Sequence, residues 1–106
     1  MTLQEIMELR KLVSIAHHVP GRIRLKLDPR ILQHPAAKYL SSLKEARPET
    51  GLISARVNIF ARSLVVEYDT ARVRPEEITT FLEGEPAEAK ALARKTAALL
   101  NLPLEE

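Results

Sequence analysis

Residues 13–27 read Val-Ser-Ile-Ala-His-His-Val-Pro-Gly-Arg-Ile-Arg-Leu-Lys-Leu, and their alternation constrains the fold more than any other feature of the chain. Val13, Ile15, Val19, Ile23, Leu25 and Leu27 are apolar and odd-numbered, whereas Arg22, Arg24 and Lys26 are charged and even-numbered. A period of two marks strand with one buried and one wet face. Two readings of Pro20-Gly21 compete. A two-residue hairpin would set Val19 opposite Arg22, His17 opposite Arg24 and Ile15 opposite Lys26, so that each face mixed apolar and cationic side chains. Parity that runs unbroken through the pair predicts instead one long strand, bent or bulged at Pro20-Gly21, and this second reading keeps one face apolar. Pro20 has no amide to donate, which places this part of the strand at a sheet edge or at a break in the ladder.

Composition narrows the possibilities. A chain of 106 residues suits a single domain spanning 1–106. Apolar residues make up 45% of it and aromatics only 4%, so the core is expected to be aliphatic. No cysteine occurs, which excludes disulfides and thiolate metal sites and agrees with a reducing, cytoplasmic setting. No run of about 18 apolar residues is present, so no transmembrane segment is expected. The N-terminal residues lack the apolar region and small-residue cleavage site of a signal peptide. A net charge of +2, from 16 basic and 14 acidic residues, is too small to imply a polyanion partner, and the local placement of charge matters more.

Along the chain, residues 2–12 read as a short helix. Thr2 can cap it, Glu5 stands at the capping-box spacing, and Leu3, Ile6 and Met7 form an apolar stripe. The long strand over 13–27 follows, and Asp28-Pro29 ends it with a residue able to cap and a proline suited to a first helical position. A helix is expected over 35–46, closed by Pro48. Residues 52–59 read as a second strand, with Ile53, Ala55, Val57 and Ile59 alternating against Ser54, Arg56 and Asn58. A short connection leads to a third strand over 63–69, with Leu64, Val66 and Tyr68 on one face, and the two form a hairpin. Pro75, Glu76 and Glu77 open a helix with a buried stripe of Ile78, Phe81 and Leu82, and Gly84 is placed to close it in a left-handed conformation. A last helix over 86–100 carries Ala89, Leu92, Ala93, Thr96, Leu99 and Leu100 at helical spacing.

This order contains βαββα, which predicts an α+β, ferredoxin-like core: an antiparallel sheet with helices on one face, and extra helices at 1–12 and 86–100. Such a fold normally adds a fourth strand. Nothing after Asp69 has β pattern, so the sheet is expected to be one strand short unless 12–19 and 22–27 serve as two segments of it. An open edge would be covered by a terminal helix or paired with a second copy, as a homodimer burying Leu92 and Leu99.

The phrases Val19-Pro20-Gly21-Arg22-Ile23-Arg24-Leu25, Val57-Asn58 and Ser63-Leu64-Val65-Val66-Glu67-Tyr68-Asp69 resemble the heavy-metal-associated (HMA-like) domain superfamily, and more closely its cysteine-free branch. The likeness covers residues 13–83. That branch occurs as small bacterial proteins and as N-terminal segments of heavy-metal P-type ATPases. The resemblance implies a ferredoxin-like fold and a link to metal homeostasis, including iron compartments built around such ATPases. Metallochaperone relatives carry Cys-x-x-Cys between the first strand and first helix. The matching loop here is Leu27-Asp28-Pro29-Arg30, which has no soft ligand, so Cu(I) delivery by that mechanism is excluded.

Candidate sites are few. His17 and His18 are neighbours on a strand and point to opposite faces, His17 with the apolar parity and His18 with the wet one, so they do not chelate one ion together. Either is a candidate ligand for haem or iron, although an ordinary edge or core histidine is the commoner role. Arg22, Arg24, Lys26 and Arg56 should share the open face of the sheet, where four cations would attract phosphate, acidic protein or anionic lipid. A nucleic-acid-binding sheet would add aromatic side chains for base stacking, and this face has none. Glu76 and Glu77 are helix-start charges and no serine has a histidine–acid constellation, so catalysis is not expected. The sequence therefore predicts a non-catalytic adaptor or regulatory domain acting beside a metal-transporting ATPase or an iron-storage assembly. Direct iron or haem binding through His17 or His18, and a structural self-associating module, are the alternatives.

Overall fold

The computed structural model describes residues 2–34, 51–99 and 104–105. The helix expected over 35–46 lies outside them. The described residues form an α+β structure: helix α1 (Leu3–Arg10), strands β1 (Val13–Val19) and β2 (Arg22–Leu27), a 3-10 turn (Pro29–Gln33), strands β3 (Leu52–Asn58) and β4 (Ser63–Tyr68), and helices α2 (Pro75–Glu83) and α3 (Pro86–Leu99). The four strands make one open antiparallel sheet in the order β1-β2-β4-β3. This order is compatible with a ferredoxin-like arrangement.

The long strand expected over 13–27 is in fact a hairpin. Gly21 takes φ +88°, and its carbonyl accepts a hydrogen bond from Tyr68 N–H at 3.0 Å, which ties the turn to β4. The objection to a hairpin is a mixing of faces, and the register removes it. Val19 pairs with Arg22 and His17 with Arg24, but Ile15 pairs with Leu25 because Ala16 is left over in a bulge. One unpaired residue exchanges the faces of everything on its far side. Val13 and Ile15 thus join Leu25 and Leu27 toward the core, while Val19 points outward and is exposed. The sheet is also not one strand short, since β1 occupies the edge beside β2.

A second bulge corrects β3. Leu52 pairs with Tyr68 and Ser54 with Glu67, leaving Ile53 over. Leu52, Ala55 and Val57 pack on the core, whereas Ile53 and Ile59, expected inside, are 67% and 66% exposed.

The core lies on one side of the sheet. Ile23, Leu25, Leu27, Leu64, Val66 and Tyr68 are buried there with Ile31 from the 3-10 turn, and Leu9, Leu12, Ile78 and Leu82 pack on them from the helical side. Helix α1 begins with a reciprocal cap: Glu5 N–H donates to Thr2 Oγ1 at 3.0 Å, and Thr2 N–H donates to Glu5 Oε1 at 2.8 Å. Its Leu3 and Ile6 meet Phe81, Ala93 and Leu104 in a second cluster. Helix α3 buries Ala89, Ala93 and Ala97, one small residue per turn, which lets it lie close against α1 and α2; Thr96 of the expected stripe is exposed and Leu92 half-buried.

Gly84 does not close α2 in the left-handed region. Its φ is −77°, and a Cβ there would stand 2.6 Å from the Thr80 carbonyl oxygen, so the glycine is needed for space. The free carbonyls at this helix end are taken by Arg10 of α1, whose Nη1 donates to Phe81 O at 3.1 Å and to Gly84 O at 3.0 Å.

Replacing Gly21 by alanine puts a Cβ on a left-handed residue while meeting only ordinary contacts, the nearest being Tyr68 O at 3.5 Å. Urea unfolding of Gly21→Ala is expected to show a loss of about 1–2 kcal/mol. An unchanged midpoint would mean that the turn relaxes without cost.

Candidate functional site

The open face of the sheet carries no helix among the described residues. Its rows follow from the register. Val19, Arg22, Glu67 and Ser54 form one row, His17, Arg24, Val65 and Arg56 the next, and Ser14, Lys26, Ser63 and Asn58 the third. Arg22, Arg24, Lys26 and Arg56 are all exposed, as the alternation predicts, and none forms an ion pair with a described residue. Arg24 and Arg56 flank Val65, which at ordinary strand spacing sets their backbones roughly 10 Å apart. Glu67 is the one carboxylate in these rows, and it accepts a hydrogen bond from Ser54 Oγ at 3.4 Å. The face therefore presents an excess of positive charge whose long side chains can rearrange around an anionic partner.

The hairpin at Pro20-Gly21 reverses the two histidines relative to one continuous strand. His17, expected inward, is exposed beside Arg24, and His18, expected outward, faces the core opposite Ile23. His18 Nε2 lies 2.7 Å from the hydroxyl of Tyr68, which is 2% exposed, and His18 Nδ1 lies 3.5 Å from Thr79 Oγ1. The Thr79 hydroxyl donates to Pro75 O at 3.3 Å, leaving its oxygen to accept from Nδ1–H. The tautomer assigned by these partners has a bare Nε2 that accepts the Tyr68 proton. Both ring nitrogens of His18 are thus engaged, and the imidazole joins strands β1 and β4 to helix α2. Neither Tyr68 nor Thr79 is a candidate from sequence, because the hairpin, the β2–β4 pairing and the packing of α2 are what bring them to His18.

His34 pairs with Glu8 of α1, Nε2 to Oε2 at 2.8 Å, and this hydrogen bond, with a second from Gln4, holds the Glu8 carboxyl below its ordinary value. At the end of β2, Asp28 caps the 3-10 turn and grips Arg30 with both carboxylate oxygens, Oδ1 at 3.0 Å from Nε and Oδ2 at 2.9 Å from Nη2. Glu77 accepts from Lys95 Nζ at 2.8 Å and from the Arg74 amide at 3.1 Å, and both lower its pKa. No group of three or more histidine, cysteine, aspartate or glutamate residues able to hold a metal ion occurs among the described residues.

Two concavities accompany these groups. An apolar one of about 200 Å³ lies between the sheet and helices α2 and α3, bordered by Ile23, Leu25, Val66, Ile78, Phe81 and Leu92. A second one of about 370 Å³, of mixed polar and apolar lining, opens at the sheet end where β1 begins and β2 finishes, bordered by Lys11, Ser14, Lys26, Asp28 and Arg62 together with Leu12 and Leu27. Lys11 and Arg62 carry no signal of their own in the sequence; they reach this end by way of the α1–β1 and β3–β4 connections. No helix of the described residues is long and apolar enough to cross a membrane. Comparison with family models, curated proteins and solved structures finds no match to the chain.

Two outcomes test this geometry. Tyr68→Phe removes the proton that His18 Nε2 accepts, and chemical denaturation is expected to show a loss of about 0.5–1.5 kcal/mol; wild-type stability would mean that the pair adds nothing. The Arg30 guanidinium and the Arg30 amide hold the Asp28 carboxyl at about 2, down from 3.8. A depressed folded value means that the stabilisation is complete above pH 3.8 and lost as pH falls through about 2. Carboxyl NMR titration should find this value, and Arg30→Gln should raise it; a carboxyl unmoved by that change would remove Arg30 as the cause.

Proposed function

We propose that the chain is a non-catalytic adaptor or regulatory domain whose cationic sheet face docks an acidic protein surface. The observation that supports this reading most directly is the set Arg22, Arg24, Lys26 and Arg56 on a helix-free face, exposed and without ion-pair partners among the described residues. The fold is proposed to be ferredoxin-like, with β1 in the position that a fourth strand after the second helix would take: β2, β3 and β4 follow the order and antiparallel sense of the first three strands of that fold. A role in heavy-metal homeostasis, in which the partner is a metal-transporting ATPase or an iron-storage assembly, rests on the resemblance of the Val19–Leu25 and Ser63–Asp69 phrases to the cysteine-free HMA-like branch, which is an analogy of family.

Direct iron or haem binding is the second reading. The engagement of both His18 ring nitrogens weighs against that residue as a ligand, and His17 lies beside Arg24 with no cluster of ligating side chains among the described residues. Metal analysis of protein purified without a histidine tag separates the readings, since stoichiometric iron would favour the second.

The docking reading is tested by charge reversal. The triple variant Arg22→Glu, Arg24→Glu, Arg56→Glu is expected to keep its stability within about 0.5 kcal/mol per site, as exposed substitutions do. Affinity capture from native lysate should lose the metal-transport or iron-storage partner with this variant, and with the wild type as salt shortens the Debye length below about 10 Å. Capture that survives both changes would overturn the cationic face as the docking surface.

A further inference from the structure

The β3–β4 turn carries an apolar tip that belongs to neither core cluster of the described residues. Residues Ile59 and Phe60 are 66% and 100% exposed. The turn is built by other groups. Asn58 Oδ1 accepts from Ala61 N–H at 3.0 Å, Arg62 N–H donates to Ile59 O at 3.2 Å, and Arg62 takes the left-handed φ of 50° that closes the loop. Positions 59 and 60 need no particular side chain for this, and polar residues ordinarily fill such sites. The chain has only two phenylalanines and two tyrosines, and one of these rings is placed fully in solvent at a hydrogen-bonded tip.

Cations surround the same end of the sheet. Leu27 N–H donates to Arg62 O at 2.7 Å, which joins the turn to the end of β2. Lys11, Lys26 and Arg62 border the concavity there, all three exposed and none in an ion pair with a described residue. Of the described acids that act on these cations, Asp28 is already held by Arg30, and Glu8, which acts on Lys11, is held by His34. An aromatic and an aliphatic tip at the sheet end that also carries three basic side chains matches the layered chemistry of an anionic bilayer, with phosphates at the depth of the cations and acyl chains beyond. A protein partner is the poorer fit, because two tip side chains supply far less than the roughly 800 Å² per partner of a stable protein interface.

We infer that the Ile59–Phe60 tip and the Lys11, Lys26 and Arg62 side chains form a docking site for anionic phospholipid membrane. Phe60 and Ile59 enter the interface, and the three cations neutralise headgroup phosphates. This surface shares Lys26 with the open face but does not rest on the docking reading of that face.

The chain contains no tryptophan, so Phe60→Trp gives a single reporter at the tip. Its emission is expected to shift to the blue with phosphatidylcholine vesicles carrying a minority of phosphatidylserine, and to stay unshifted with phosphatidylcholine alone. In vesicle flotation the wild type should bind the mixed vesicles. The pair Ile59→Ser, Phe60→Ser should bind at least about ten-fold more weakly. Lys11→Gln and Arg62→Asn, the latter chosen because asparagine tolerates the left-handed backbone, should each weaken binding roughly five-fold. Circular dichroism of the variants checks that they remain folded. An unshifted Phe60→Trp spectrum, flotation of the serine pair equal to wild type, or light scattering that shows the tip buried in a self-associated species without vesicle binding would each overturn the inference.

Discussion

The register shift at Ala16 decides which face Val13, Ser14 and Ile15 present, and so whether the far half of β1 joins the core. Strand side chains alternate strictly, so a perfect hairpin at Pro20-Gly21 would pair Ile15 with Lys26 and turn it toward the cations. His18 stands opposite Ile23 with or without the bulge, because the shift lies beyond it. The bulge adds one residue on the β1 side. Ile15 then turns inward opposite Leu25, and His18 stays inward opposite Ile23. Tyr68 is buried nearly completely, and its hydroxyl would be costly to leave unpaired. The imidazole of His18 supplies that partner at 2.7 Å. One hairpin thus serves the apolar core through Ile15 and the polar satisfaction of β4 through His18.

The helical layer depends on a similar economy of groups. Alanines at 89, 93 and 97 give α3 a flat side, and the close approach lets Leu3, Ile6, Phe81 and Leu104 fill the space around Ala93. Arg10 fixes α1 against the end of α2 by taking two carbonyls that the helix itself cannot satisfy. Lys95 reaches back from α3 to Glu77 in the first turn of α2. Each helix is thus joined to its neighbour by a polar contact as well as by packing.

Features with a local cause are legible in the sequence. The Thr2–Glu5 cap, Pro75 at a helix start, and the inward set Ile23, Leu25, Leu27, Leu64, Val66 and Tyr68 follow from nearest neighbours and strand period. The outward set Arg22, Arg24, Lys26 and Arg56 follows from the same period. The bulges at Ala16 and Ile53 are not legible, because a bulge is selected by what the partner strand offers, and the parity of one strand read alone hides it. Both histidines fall on the wrong faces for a different reason: parity carried unbroken through Pro20-Gly21 hides the turn that reverses them. Gly84 reads as a left-handed cap because glycine is common there, whereas the nearness of the Thr80 carbonyl is a tertiary fact. Ile59 reads as the last inward residue of a strand; the turn signal is Asn58, whose side chain begins the loop one residue earlier.

The two proposed surfaces are set at right angles by the sheet itself. The cationic face runs along the strands, and the apolar tip with its basic surround lies at their end, where β2 finishes and β3 turns into β4. A domain resting on a bilayer by that end would hold its strands steeply to the membrane and turn Arg22, Arg24 and Arg56 sideways, toward whatever stands beside it. Lys26 lies nearest the end, between the two surfaces, and would be shared. Charge near the membrane would then be taken up by lipid, while Arg22, one row beyond Arg24 and farthest from the tip, would remain for a protein neighbour. Salt weakens both contacts, but only the tip adds apolar transfer, which salt does not screen. The two surfaces therefore differ in the physical force that each relies on, and a partner that is itself embedded in the membrane could engage the face while the tip keeps the domain at the depth where that partner presents its acidic side chains.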